Sequence, residues 1–178
     1  MTLTIETIPS AEQTALNLAR WNEILRDKEL ADLPHRIETD RHGHILMSPP
    51  PAPKQGKKQF RMGSLLEKHL PQGTGIVECP ISTADGVRAA DVAWLAPNRA
   101  AEADSIIPLV HAPEICIEII SPRNTTGEIK DKKALYFGAG AKEVWICREN
   151  GKLQFYCQTL PDIPTRSLLC PDFPHRVS

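Results

Sequence analysis

Apolar residues recur three and four positions apart at Ala15, Leu18, Trp21 and Leu25, behind Ser10-Ala11-Glu12-Gln13, a cap with an acidic first turn. The pattern predicts an amphipathic helix to about Leu30, set ahead of Pro34 as an N-terminal element. Two short segments follow, His35–Thr39 and His44–Ser48, joined around Arg41-His42-Gly43, where glycine supplies the positive φ of a tight hairpin turn. Pro49-Pro50-Pro51-Ala52-Pro53 must run extended. From Lys54 to about Leu70 a second helix is expected, with Phe60, Leu65, Leu66 and His69 among its apolar or aromatic positions.

Gly75–Ile81 and Val87–Leu95 read as strands joined by the hairpin signal Asp85-Gly86. Pro97 to Pro108 is expected to be an irregular, mobile surface loop. Glu114–Ile120 is apolar on both faces apart from Glu118, which suits a strand in the middle of a covered sheet. A helix from about Glu128 to Gly138, a strand Glu143–Cys147 and its hairpin partner Leu153–Cys157 complete the pattern, and Gly138-Ala139-Gly140 reads as a C-cap. The order predicts an α/β (α+β) fold with helices flanking a central mixed sheet. We divide it into a helical extension (1–34), a main domain (35–160) and a proline-rich, partly ordered C-terminal tail (161–178).

Composition changes the picture in three ways. At 178 residues and a net charge of -1, the chain fits one core but has no global field for a polyanion, so nucleic acid would have to be met by a local basic cluster. Its five cysteines are odd in number and lack zinc-ligand spacing, which points to free thiols in a reducing compartment. The N-terminus has no signal-peptide character and no apolar run reaches the length of a membrane helix, so a cytoplasmic protein without membrane contact is expected. Other chemistries find little support. Ser121 has no nucleophile elbow, no glycine-rich phosphate loop opens a helix, and His42-x-His44 lacks an evident third metal ligand.

The informative anomaly is acid in buried strands. Glu118 lies between Ile117 and Ile119, where ionisation costs several kcal/mol without a cation or hydrogen-bond donors. A strand-end glutamate paired with an arginine would satisfy that requirement, and so would a metal ligand. Asp91 repeats the anomaly in a strand expected to be adjacent, with small Ala89 and Ala93 on its own face. Together they suggest an oxygen-lined site for a hard cation such as Mg²⁺. In the next helix Ile129, Lys132 and Tyr136 share one face, which draws Lys132 towards the sheet and leaves Lys130 and Lys133 nearer solvent. Lys132 could instead snorkel at the helix flank.

The ordered set Pro113–Pro122, Lys132-x-x-x-Tyr136, Gly138-Ala139-Gly140 and Glu143-Val144-Trp145 resembles the Uma-two family of "putative restriction endonucleases", in the PD-(D/E)XK nuclease superfamily. The Ser48-Pro49-Pro50-Pro51 stretch also resembles that family. The resemblance implies a restriction-endonuclease-like core and a metal, Mg²⁺ (or Mn²⁺), held by Asp91 and Glu118. Ile120 stands where a lysine usually follows the second acid, and the resemblance assigns that lysine's role to Lys132. Glu38 matches an early glutamate and is carried as a candidate third acid. Ala90 replaces a common proline, and Lys54–Lys58 lies where a histidine is often seen.

The expected function is metal-dependent hydrolysis of phosphodiester bonds in nucleic acid, with DNA the expected substrate and Asp91, Glu118 and Lys132 catalytic. Arg123, Lys57, Lys58 and Arg61 are candidates for phosphate contacts, against the alternative of a solvated basic face. Double-strand cutting with one site per chain would call for a homodimer. The competing expectation is a catalytically silent nuclease-fold protein that binds nucleic acid or another protein.

Overall fold

The computed structural model describes residues 6–105 and 107–177. Its centre is a six-stranded mixed sheet in sequential order: β3 (Thr74–Thr83), β4 (Gly86–Leu95), β5 (Ile115–Ile119), β6 (Glu143–Cys147), β7 (Leu153–Cys157) and β8 (Leu160–Thr165). All neighbouring pairs are antiparallel except β5–β6, whose parallel crossover is made by helix α4 (Thr126–Gly138). The first hairpin, β1 (Arg36–Thr39) with β2 (Ile45–Ser48), forms a separate two-stranded sheet. Ahead of it lie α1 (Ala11–Arg26) and a single turn, α2 (Lys28–Ala31); α3 (Pro53–His69) follows β2. This is the mixed sheet with flanking helices that the hydrophobic pattern predicts.

Alternation along β5 divides the interior in two. Ile115, Ile117 and Ile119 pack with Val92, Trp94 and Trp145 against Met62 and Leu66 of α3. Cys116 points the other way, with Ala93, Val144 and Ile146, against Tyr136 and Phe137 of α4. Asp91 and Glu118 have the same strand parity as Ala93 and Cys116, so both side chains belong to the α4 face.

Several local expectations change. In α1 the buried residues are Asn17, Trp21 and Ile24, whereas Ala15 and Leu25 are exposed. The rotation follows from Asn17, whose amide donates to Ser82 Oγ and to the carbonyls of Thr83 and Gly86, which fixes the helix on the β3–β4 turn. In α3 the inward residues are Lys58, Gln59, Met62 and Leu66, and Phe60 is 75% exposed. The expected irregular loop after Pro97 is an eight-residue 3-10 stretch, Pro97–Asp104, held by Arg99 to Glu114, Glu102 and the carbonyls of His111 and Ala112.

Past Cys157 the chain forms edge strand β8 and then returns to the core. Cys170, Phe173 and Val177 are buried there, and Glu143 accepts hydrogen bonds from Ser167 Oγ and the amides of Leu168 and Leu169. The five cysteines are free and buried. No helix among the described residues is long and apolar enough to cross a membrane.

Candidate active site

The site begins at a fork in the sheet. β4 is ten residues long and β5 only five, and their ladder runs from Trp94↔Ile115 to Val92↔Ile117. One step further, Asp91 and Glu118 stand opposite each other where pairing ends. Asp91 Oδ2 accepts the amide of Ile119 at 2.6 Å and so replaces the next ladder bond with a side-chain bond. Beyond the fork the outer edge of β4 has no strand beside it, and the first hairpin supplies side chains instead. Thr39 Oγ1 accepts the Val87 amide at 2.9 Å, and Glu38 Oε1 accepts the Ala89 amide at 2.8 Å.

Gly86 makes that docking close. Its φ is +82°, and a Cβ there would stand 2.2 Å from the Thr39 carbonyl oxygen.

Helix α4 delivers the cation. Thr125 and Glu128 form a reciprocal capping box that fixes where the helix starts. Two turns in, Lys132 Nζ lies 3.0 Å from Glu38 Oε1, 3.4 Å from Glu118 Oε2 and 3.3 Å from the Ala89 carbonyl. One turn later the fully buried Tyr136 hydroxyl donates to Glu118 Oε1 at 2.6 Å. The face predicted for α4 is therefore the one used. Lys133, expected nearer solvent, is instead buried, paired with Asp162 and the Pro161 carbonyl and stacked 4.2 Å over the Tyr156 ring.

Three further residues complete the cluster, and sequence reasoning missed their part. Arg36 Nη1 is 2.8 Å from Asp91 Oδ1, its Nε is 3.0 Å from Glu78 Oε2, and its Nη2 donates to the Ala89 carbonyl. Gln59 of α3 donates to Glu78 Oε1 at 2.6 Å and lies 3.5 Å from Asp91 Oδ1. Glu78 has φ +52°, the one non-glycine residue in left-handed backbone among those described. The signal for Arg36 was its place two residues before Glu38 in one strand. Nothing in the residue order marks Glu78, because its role comes from a backbone kink in β3.

Four carboxylates (Glu38, Glu78, Asp91, Glu118) thus surround two cations (Arg36, Lys132), two negative charges in excess when all are ionised. The protonation preferences reflect that crowding. Burial pushes Glu118 up to about 7; Lys132 opposes the rise and Asp91 adds to it. Burial also opposes ionisation of Glu38, but Lys132 and Arg36 outweigh it and hold this carboxyl below its usual value. Lys132 is raised because Glu118 and Glu38 overcome the burial penalty on its ammonium.

Glu38, Asp91, Glu118, Arg36 and Lys132, but not Glu78, line a cleft of about 780 Å³, whose lining also includes Arg123, Ser121, Asn124 and Pro49–Pro51. Of the basic residues expected to meet phosphate, only Arg123 borders this cleft. Lys58 is buried, with Nζ donating to the carbonyls of Arg148 and Glu149 in the β6–β7 turn. Lys57 and Arg61 are exposed on α3 outside the cleft lining. His44 is paired with Asp40 in the hairpin turn.

The donor set suits a hard divalent ion, since the oxygens are carboxylate and the cluster carries surplus negative charge. No group of three or more His, Cys, Asp or Glu among the described residues is arranged as a ready metal cage. Mg²⁺ is commonly held by one or two carboxylates, with water and phosphate completing its shell. Asp91 and Glu118 are the pair that could hold it.

Comparison with known proteins bears on the fold and the family. A crystal structure of a "putative nuclease belonging to DUF820" from Anabaena variabilis ATCC 29413 superposes with a TM-score of 0.63 at 17% identity, covering 87% of this chain and 92% of that one. The likeness establishes a shared, restriction-endonuclease-like fold. No curated relative matches the chain. The Uma2 family model, described as "Putative restriction endonuclease", matches residues 27–174, and by that extent the chain belongs to the Uma2 family.

Proposed function

We propose that the chain is a metal-dependent endonuclease that hydrolyses phosphodiester bonds in DNA, with Mg²⁺ (or Mn²⁺) held by Asp91 and Glu118. The observation that carries this reading is the fork: two acids opposed on adjacent strands, beneath Lys132, on the floor of a cleft. Family membership supports the nuclease class.

When bound, the ion supplies Lewis-acid stabilisation of the phosphoryl oxygens and acidifies water. The chain's own residues do the rest. The Ile119 amide and Tyr136 hydroxyl hold one oxygen of each acid and so aim the other oxygen of each. Lys132 presents an ammonium to the charge that builds on phosphate; Glu118 and Glu38 keep that ammonium protonated, and Glu38 at 3.0 Å holds it in place. Arg123 in the cleft lining is suited to a backbone phosphate, a contact indifferent to base sequence. One cleft per chain makes a homodimer the assembly that would cut both strands.

The alternative, a catalytically silent nuclease-fold module that binds nucleic acid or protein, has one observation in its favour: Arg36 already sits on Asp91. Incubation of purified protein with plasmid DNA separates the two readings. Cleavage that needs Mg²⁺, stops with EDTA and disappears in Asp91→Ala and Glu118→Ala supports the enzyme. Equal cutting by both variants and wild type would remove the assignment.

A further inference from the structure

Arg36 stands between two spaces. It lines the acidic cleft, and it also lines a second cavity of about 520 Å³ whose other walls include Trp21, Ile24, Leu30 and Pro34 together with Glu78. Its guanidinium lies between two carboxylates: Nη1 donates to Asp91 towards the cleft, and Nε is 3.0 Å from Glu78 Oε2 towards the cavity, an ion pair without hydrogen-bond alignment, while Nη2 donates to the Ala89 carbonyl. The two contacts are not equivalent. Nε, which meets Glu78, is nearer the backbone than Nη1, which meets Asp91. The distal end can therefore leave Asp91 while the Glu78 contact persists.

We infer that Arg36 is a displaceable internal cation, which neutralises Asp91 in the metal-free protein and retracts onto Glu78 when a divalent ion takes Asp91. The inference rests on the reading of Asp91 as a metal ligand and adds what governs access to it. Two further features support a holding place at Glu78. An arginine moved off Asp91 needs another carboxylate close by, since a poorly paired charge in a largely closed setting costs several kcal/mol; Glu38 is 4.0 Å away and already paired with Lys132 at 3.0 Å, whereas Glu78 stands at 3.0 Å. Glu78 removes that cost, and Gln59 fixes its other oxygen at 2.6 Å.

The backbone at Glu78 supplies the second feature. A left-handed φ of +52° is unfavourable for glutamate, and asparagine or glycine would adopt it more cheaply. A carboxylate at a strained position on β3, facing Asp91 on β4 between the Val77↔Val92 and Cys79↔Ala90 pairs, fits a requirement for charge at that point. Arg36 and Glu78 are then positioning residues, and they set the affinity of the site for metal.

Calorimetric titration of the full chain with Mn²⁺ tests the inference through the signs of two single variants and their combination. Arg36→Gln removes the competitor, and Mn²⁺ should bind about tenfold tighter, a factor set by one competing ion pair. Glu78→Gln removes the holding place, and binding should weaken by a similar factor. In the Arg36→Gln background, Glu78→Gln should change the Kd less than about twofold, because the arginine it serves is gone. A purely long-range effect of the Glu78 charge would weaken binding equally in both backgrounds and would overturn the inference.

Failure of Arg36→Gln to tighten binding would overturn it too, with the metal reading intact if wild type still binds Mn²⁺ through Asp91. If neither wild type nor Arg36→Gln binds, both readings fall. Should Arg36→Gln not fold by circular dichroism, Arg36→Lys serves. A point-like ammonium cannot bridge Asp91 and Glu78 as the fork does, so it too should bind Mn²⁺ more tightly than wild type.

Discussion

The hydroxyl of Tyr136 donates a 2.6 Å hydrogen bond to Oε1 of Glu118, and both residues are buried between α4 and β5. This bond fixes the carboxylate rotamer from the helix that also carries Lys132. Tyr136→Phe keeps the ring and its packing but leaves a buried carboxylate oxygen without its donor, at a cost of about 1–3 kcal/mol. We expect a lower melting temperature and DNA cleavage reduced by about tenfold, the factor that corresponds to roughly 1.4 kcal/mol in the transition state. Unchanged cleavage with lowered stability would reduce Tyr136 to a packing residue.

Lys132 gives a sharper separation of stability from chemistry. Lys132→Met removes the ammonium facing Glu38 and Glu118 while keeping the aliphatic stem. If the ammonium stabilises phosphate charge, cleavage should fall by about 100-fold or more, the range found when one preorganised donor is lost. Single-turnover cleavage of a labelled duplex measures it.

The raised pKa of Glu118 fixes the sign of a pH dependence. The carboxyl moves from an ordinary 4.5 to about 7 in the folded chain, chiefly through burial. The folded state therefore binds this proton more tightly than the unfolded state. Its contribution to stability is full below about pH 4.5 and is lost as pH rises through about 7. Glu118→Gln keeps an acceptor for Tyr136 and cannot ionise, so it should lose less stability across that interval. Thermal melts in EDTA at pH 5 and pH 8 should show the variant gaining on wild type at the higher pH, whereas parallel curves would contradict the assignment.

Glu143 is the structural counterpart of these acids. One carboxylate accepts from Trp145 Nε1, Ser167 Oγ and the amides of Leu168 and Leu169, tying the C-terminal segment to β6. Glu143→Ala would orphan several buried donors at once, a loss of at least about 3 kcal/mol. For a chain of this size that is roughly 6–12 °C in melting temperature. Removal of Phe173 and the residues beyond it should destabilise in the same direction.

Glu143 also shows how far the residue order could be read. It stands beside apolar residues in a buried strand, as Glu118 does, and pattern alone does not tell the two apart. What distinguished Glu118 was a second acid in the neighbouring strand and a lysine at helical spacing from Tyr136. Strands and helices were legible because alternation and the three-to-four spacing report on faces directly. Arg36, Glu78 and Gln59 were not, because their convergence depends on how a separate hairpin docks and on one left-handed residue in β3. Within the basic cluster of α3, Lys58 was unreadable for a related reason. Lysine carries no local mark of whether its amine meets solvent, and Lys58 turns inward to two turn carbonyls.

We expect Asp91 and Glu118 to share one divalent ion. Crystals grown without metal and soaked in Mn²⁺ test it most directly through the anomalous signal. One peak is expected at the fork, roughly 2.0–2.3 Å from an oxygen of each acid as for a small hard cation, with the Arg36 guanidinium drawn off Asp91. A fork free of anomalous signal at saturating Mn²⁺, with Arg36 still bonded to Asp91, would contradict it.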